Sequence, residues 1–203
     1  MTTKTGQSLI IDAGPALTFM AAGHRKLLLE VIERRGNQLQ TPEAVVEEVA
    51  RKAGQQKRFA SCETALNGLI ARGQIDILLD DINDQALTKQ VRHITGVGTA
   101  IRLGESRDLG ETMVIAHALK QKAAGIEVRV LIDEWRGQKV AVDKGLKVVS
   151  TESILIGAIS LQLIADRGEM RKIYSRLREF DDGLVHIDQT QLLERERYRL
   201  AKR

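Results

Sequence analysis

Leu9-Ile10-Ile11-Asp12-Ala13-Gly14-Pro15 is the stretch that decides how this chain reads. Its apolar run predicts a short strand that ends on a carboxylate, turns at Gly14 and starts a helix at Pro15. Proline suits the first position of a helix, where its missing N–H leaves nothing unpaired. Asp12 then falls where the C-terminal end of a strand meets a helix N-terminus. In open parallel α/β sheets that edge is where ligands bind. The reading of the remaining chain turns on whether other acids reach the same edge.

Outward from this stretch, apolar spacing predicts a short helix over Pro15–Ala22 and another over His24–Arg35, where Leu27, Leu28, Val31 and Ile32 fall at helical intervals. Gln38–Gln40 is a candidate strand. Thr41-Pro42 gives an N-cap and a proline start for a helix to about Ala53. A further helix is expected over Gly54–Arg72, a strand over Ile75–Leu79 and a helix over Asn83–Ile94. Gly96–Gly110, with four glycines, is the least regular part. From there the order is helix Asp108–Ala124, strand Glu127–Ile132, helix Arg136–Lys144, strand Val148-Val149, helix Ile154–Ala165. That alternation calls for an α/β fold, a parallel sheet covered by helices. Beyond Gly168, two charged helical segments are expected at about 169–179 and 189–202.

Composition excludes several classes. The 203 residues are 43% hydrophobic and 3% aromatic, so the core is aliphatic and base-stacking platforms are not expected. Cys62 is the only cysteine, which rules out a disulfide framework and multi-cysteine zinc, and suits a reducing cytosol. The first apolar run is cut at Asp12, unlike a signal peptide. No segment reaches the ~18 uninterrupted apolar residues of a membrane span. The expectation is a soluble, cytoplasmic protein with no membrane partner. Net charge is +4, and residues 167–203 hold ten Lys/Arg against seven Asp/Glu. That segment reads either as a solvated helical face or as an arm for nucleic acid or another partner.

Four acidic sites occupy comparable positions. Asp12 ends the first strand, and Glu48 lies in the helix after the second. Asp108 and Glu111 open a helix and share a face at i, i+3. Asp133 and Glu134 end a later strand. Gathered at one sheet edge, these carboxylates would repel and raise one another's pKa. An oxygen-rich, cysteine-free cluster relieves this by holding a hard divalent cation, Mg²⁺ or Mn²⁺ rather than zinc. Each acid has a plainer reading: Asp108 and Glu111 as helix starters, Glu47 or Glu48 as solvated surface, Asp133-Glu134 as an N-cap. The four histidines share no metal-ligand spacing, and His117 reads as a helix residue.

Four motifs, in order, resemble those of the PIN-domain nuclease family: LIIDAGPALTFM (9–20), TPEAVVEEV (41–49), DLGETMVIAHAL (108–119) and VLIDEWRGQKVAVDKGLKVVST (130–151). The resemblance covers about residues 8–165. Gly110-Glu111 before an alanine-rich helix, with Ile132-Asp133-Glu134, is similar to a prokaryotic, toxin-like subgroup. The resemblance implies a three-layer α/β/α sandwich with a central parallel sheet over 1–166, and 167–203 as a charged helical extension packed on or beside it. It implies Mg²⁺- or Mn²⁺-dependent cleavage of RNA, often as the toxin of a type II toxin–antitoxin pair, with a small antitoxin and a second copy of the chain as partners. By position Asp12, Glu48 and Glu111 match the family's first three acids, and the fourth falls at Asp133 or Glu134. Thr151 matches a small hydroxyl residue that supports the site. Compared with the small toxins, residues 55–105 are longer and more glycine-rich, and 169–203 is extra.

A concave acidic site must approach the backbone closely, so single-stranded or looped RNA fits better than duplex. Arg102, Arg107, Arg136 and Lys139 flank the acids and are candidates for phosphate contact. The alternative is a PIN-like domain that binds nucleic acid or a partner without cutting. A receiver-type regulator is a third reading, and it lacks the late strand-end lysine and the paired acid in the first loop that it needs.

Overall fold

The computed structural model describes residues 7–96 and 109–200. Five strands, β1 (Gln7–Ile11), β2 (Asn37–Pro42), β3 (Asp76–Leu78), β4 (Val128–Leu131) and β5 (Lys147–Val149), form one sheet in the order β3-β2-β1-β4-β5. Every pairing is parallel, with Leu9 opposite Leu39 and Arg129, and Val130 opposite Val148. A parallel sheet must be covered on both faces, and its central strand shows this most clearly. Leu9, Ile10 and Ile11 of β1 are all buried.

Alternation along β1 sorts the helices. Leu9 lines a small cavity with Val31 and Ile32 of α2 (Arg25–Arg34) and Ile154 of α8 (Thr151–Ser160), so these helices cover one face. Ser8 points the other way, toward α6 (Leu109–Ala123). Gln40 accepts hydrogen bonds from the Ser8 hydroxyl at 2.6 Å and from Gln121 of α6 at 2.7 Å. The protein is therefore a three-layer α/β/α sandwich. Among the described residues no helix is long and apolar enough to cross a membrane.

Local chemistry moves several boundaries. Helix α1 runs Ala13–Ala21, so Pro15 is its third residue; the first turn tolerates it there because its N–H groups have no intrahelical acceptor. Helix α3 (Glu43–Gln55) has Pro42 as its N-cap, without a side-chain cap. A distant carboxylate does that work: Asp80 Oδ2 accepts the Ala44 N–H at 2.7 Å, and Glu43 Oε2 accepts the Asp80 N–H at 2.8 Å. His117 Nε2 meets Asp80 Oδ1 at 2.7 Å, and the imidazole is 3% exposed. This buried cluster ties the end of β3 to α3 and α6.

The helix expected over Gly54–Arg72 is broken. Gln56 is extended, Lys57–Phe59 makes a 3-10 turn, and α4 runs Cys62–Ala71. The break lets Phe59 and Cys62 both enter the core. Helix α5 (Gln85–Thr95) is capped by Asp84, whose side chain also bonds Lys120. Helix α7 (Trp135–Asp143) follows β4. Helix α8 stops at Ser160, five residues before the expected end, because Gln162 adopts φ +59 and turns the chain. Helix α9 (Arg167–Arg178) buries Met170, Ile173, Tyr174 and Leu177 in the same core as the sheet. The last segment is a 3-10 turn at Ile187–Gln189 and a short α10 (Arg195–Leu200), not one long helix over 189–202.

Candidate active site

A cavity of about 300 Å³ opens at the C-terminal edge of the sheet, lined by Asp12, Gly14, Pro15, Glu48, Lys52, Glu111, Asp133, Glu134, Asp181 and Gly183. Five of the acids read from the sequence thus arrive at one place, from β1, α3, α6 and the β4–α7 junction. Asp12 is the N-cap of α1 and the last β1-side donor to β4, its N–H reaching Leu131 O at 3.0 Å. Glu48 shares α3 with Glu47, but Glu47 is exposed while Glu48 is half-buried. Its partner is Lys52, one turn on, at 2.7 Å.

Two glycines show how tightly the acids are packed. A Cβ on Gly110, in the first turn of α6, would stand 2.7 Å from Glu48 Oε2 and 3.9 Å from Asp12 Oδ1. The same position on Gly137, in the first turn of α7, would collide with the Glu111 carboxylate and come within 3.0 Å of Ile132. Bare backbone at these two points lets α6 and α7 close on the carboxylates.

Asp133 and Glu134 differ in kind. Asp133 Oδ1 accepts the Thr151 N–H at 2.7 Å and its Oδ2 accepts the Thr151 hydroxyl at 2.5 Å. Thr151 is itself fully buried, at the head of α8. Glu134 is exposed and serves as the N-cap residue of α7 without a side-chain cap bond.

Burial sets the electrostatics. Desolvation pushes the Asp12 carboxyl up to about 6; the Ala13 N–H opposes this and the Glu48 charge adds to it. Desolvation also raises Asp133 to about 6, against the pull of its two Thr151 bonds and with a push from Asp181. For both groups burial costs more than these bonds return. Even so, the carboxylates are not drawn into one coordination sphere. Among the described residues no three Asp, Glu, His or Cys side chains stand close enough to hold an ion as they are. Glu48 leans on Lys52 and Asp133 on Thr151 instead. The donor set is nonetheless all oxygen, anionic and partly desolvated, which is the chemistry a hard divalent cation takes.

The remaining sequence candidates divide. Asp108, Arg102 and Arg107 lie outside the described residues. Arg136 and Lys139 are exposed on α7, and Lys139 Nζ stands 5.5 Å from the centre of the Trp135 ring. Two charged wall residues were not anticipated. Lys52 carried a signal, its i, i+4 spacing from Glu48. Asp181 carried none: only the docking of α9 against α1 brings the following loop to the cavity, where Asp181 Oδ2 lies 3.3 Å from the Thr18 hydroxyl.

A family model described as PIN domain matches residues 8–190, and the chain belongs to that family. PIN domains are generally nucleases, and they typically use divalent metals. The match runs past α8 and through α9, so it includes the loop that carries Asp181. No curated protein and no solved structure matches the chain.

Proposed function

We propose that this protein is a Mg²⁺- or Mn²⁺-dependent endoribonuclease that hydrolyses RNA phosphodiester bonds as the toxin of a two-component pair. The observation that carries the reading is the single cavity shared by Asp12, Glu48, Glu111, Asp133 and Glu134. Asp12, Glu48, Glu111 and Asp133 or Glu134 would hold the cation. Bound there, it offsets the negative charge that builds on the phosphate in the transition state.

The chain's own groups supply the rest. An acid of the same wall, such as Glu48 or Asp133, would accept a proton from the attacking water as general base. Thr151 fixes the Asp133 carboxylate through both oxygens. Lys52, the one cation among the described residues that line the cavity, would meet a phosphate oxygen. In-line attack by water leaves 5′-phosphate and 3′-hydroxyl ends. A cavity of about 300 Å³ is of a size to take about one nucleotide, and close approach to the backbone favours single-stranded or looped RNA. The partners of this reading are RNA, a small antitoxin and a second copy of the chain, in the cytoplasm, where Cys62 stays a buried thiol.

The test is cleavage of single-stranded RNA with Mg²⁺, with Mn²⁺ and with EDTA, followed by analysis of the product ends. Cation-dependent cleavage with 5′-phosphate products is the expected result. No cleavage with either cation would leave the binding-only alternative.

A further inference from the structure

Trp135 is the only tryptophan in a chain that is 3% aromatic. An indole normally goes inward, because its apolar area is large. Here it is 70% exposed. It is the first residue of α7, directly after Asp133 and Glu134, which line the acidic cavity. The first turn of α7 therefore has two sides. Gly137 faces in and packs against Glu111, while Trp135, one residue past the cavity-lining Glu134, faces solvent. Lys139 Nζ stands 5.5 Å from the ring centre, and the exposed Glu134 and Arg136 flank Trp135 in the chain.

We propose that Trp135 is a stacking platform for an unpaired nucleobase flanking the cleaved phosphate, and that it makes single-stranded or looped RNA the preferred substrate. The proposal rests on the nuclease reading for its cleaved phosphate. A flat, exposed π face with the Lys139 ammonium beside it matches a nucleotide, whose base stacks while a phosphate meets the charge. Bases inside a duplex already stack on one another and offer no face. A protein partner would call for a wider apolar patch. The other exposed apolar residue on this helix is Val142, two turns away, and charged Lys139 lies between. An aromatic-poor composition argued against stacking platforms, yet one exposed indole next to the cavity-lining acids is enough for one base.

Because Trp135 is the sole tryptophan, its fluorescence reports on this position alone. The experiment titrates wild type and Trp135→Ala, in Mn²⁺, with a short single-stranded RNA carrying phosphorothioate linkages to slow cleavage. Saturable quenching of the wild-type indole is expected. Anisotropy of labelled RNA should show Trp135→Ala binding about five- to a hundredfold more weakly, with Trp135→Phe keeping most of the affinity. Duplex RNA of the same length should bind wild type and Trp135→Ala alike. The Mn²⁺-induced rise in melting temperature should be the same in both proteins. Equal affinity of Trp135→Ala for single strands, or an unquenched indole in a wild type that cleaves RNA, would overturn this proposal and leave the nuclease reading standing. Indole fluorescence that shifts with protein concentration alone would place the ring between copies of the chain and overturn it as well. A wild type that neither binds nor cuts RNA would sink both readings.

Discussion

Replacing Asp12 by asparagine should make the cation-free protein more stable, although it removes the acid on which the proposed activity most depends. The Asp12 carboxyl rises from 3.8 to about 6 on folding, chiefly through desolvation. For an acid with a raised pKa, the folded state holds more protons than the unfolded state between those two values. Stability therefore falls as pH climbs from about 4 through about 6, then levels. Roughly two pKa units correspond to about 3 kcal/mol at pH 7.5. Asparagine keeps an oxygen for the Ala13 N–H but remains a buried amide, so a gain of about 2 kcal/mol is expected. In a chain of this size that is about 4–8 °C in melting temperature. Roughly two-thirds of the gain should vanish by pH 5, where the wild-type carboxyl takes up its proton.

The assay is thermal unfolding of both proteins in EDTA from pH 4 to 8, repeated with Mn²⁺. Added cation should stabilise the wild type, by about 2.7 kcal/mol at a hundredfold excess over Kd. The variant should respond far less, so the order of stabilities narrows or inverts. An Asp12→Asn protein less stable than wild type in EDTA at pH 7.5, or a gap that does not change with pH, would refute the reasoning.

Other residues separate the roles of the site from those of its scaffold. Thr151→Val removes the hydroxyl bond to Asp133 while keeping the N–H bond. It should raise the Asp133 pKa further and lose about 1–2 kcal/mol at pH 7.5, with a smaller loss near pH 4, as read by urea unfolding at both values. Gly110→Ala would press a methyl against Glu48 Oε2. Because that carboxylate is the end of a flexible side chain, cation-free stability should change by less than about 1 kcal/mol, while the Mn²⁺-induced rise in melting temperature should shrink. Asp80→Ala strips His117 of its buried partner and α3 of its cap acceptor. It should destabilise by about 2–4 kcal/mol in urea and leave the response to Mn²⁺ intact.

Much of this was legible in the sequence. An apolar run cut by Asp12 and followed by Gly14-Pro15 has few structural solutions, and the strand–helix alternation after residue 108 places β4 and β5 beside it. Asp12, Asp133 and Glu134 were legible because they directly follow the ends of β1 and β4, and Glu48 and Glu111 because they lie in the first two turns of the helices in the matching motifs. What failed were features set by distant contacts. The break at Gln56 follows from Phe59 and Cys62 seeking the core, which a helical pattern over 54–72 does not encode. The end of α8 depends on one residue, Gln162, at positive φ. Asp181 looked like any acid in a charged tail; only the apolar stripe Met170, Ile173, Tyr174 and Leu177, docked in the core, carries it to the cavity.

The most direct measurement is single-turnover cleavage of a labelled single-stranded RNA by wild type, Asp12→Asn and Asp133→Asn, each in Mn²⁺ and in EDTA. Cleavage by the wild type in Mn²⁺ alone, with both variants slowed a hundredfold or more (order of magnitude for removing a proton acceptor or charge-stabilising group), is the result this account expects. Cleavage that survives EDTA, or that proceeds undiminished in Asp12→Asn, would contradict it.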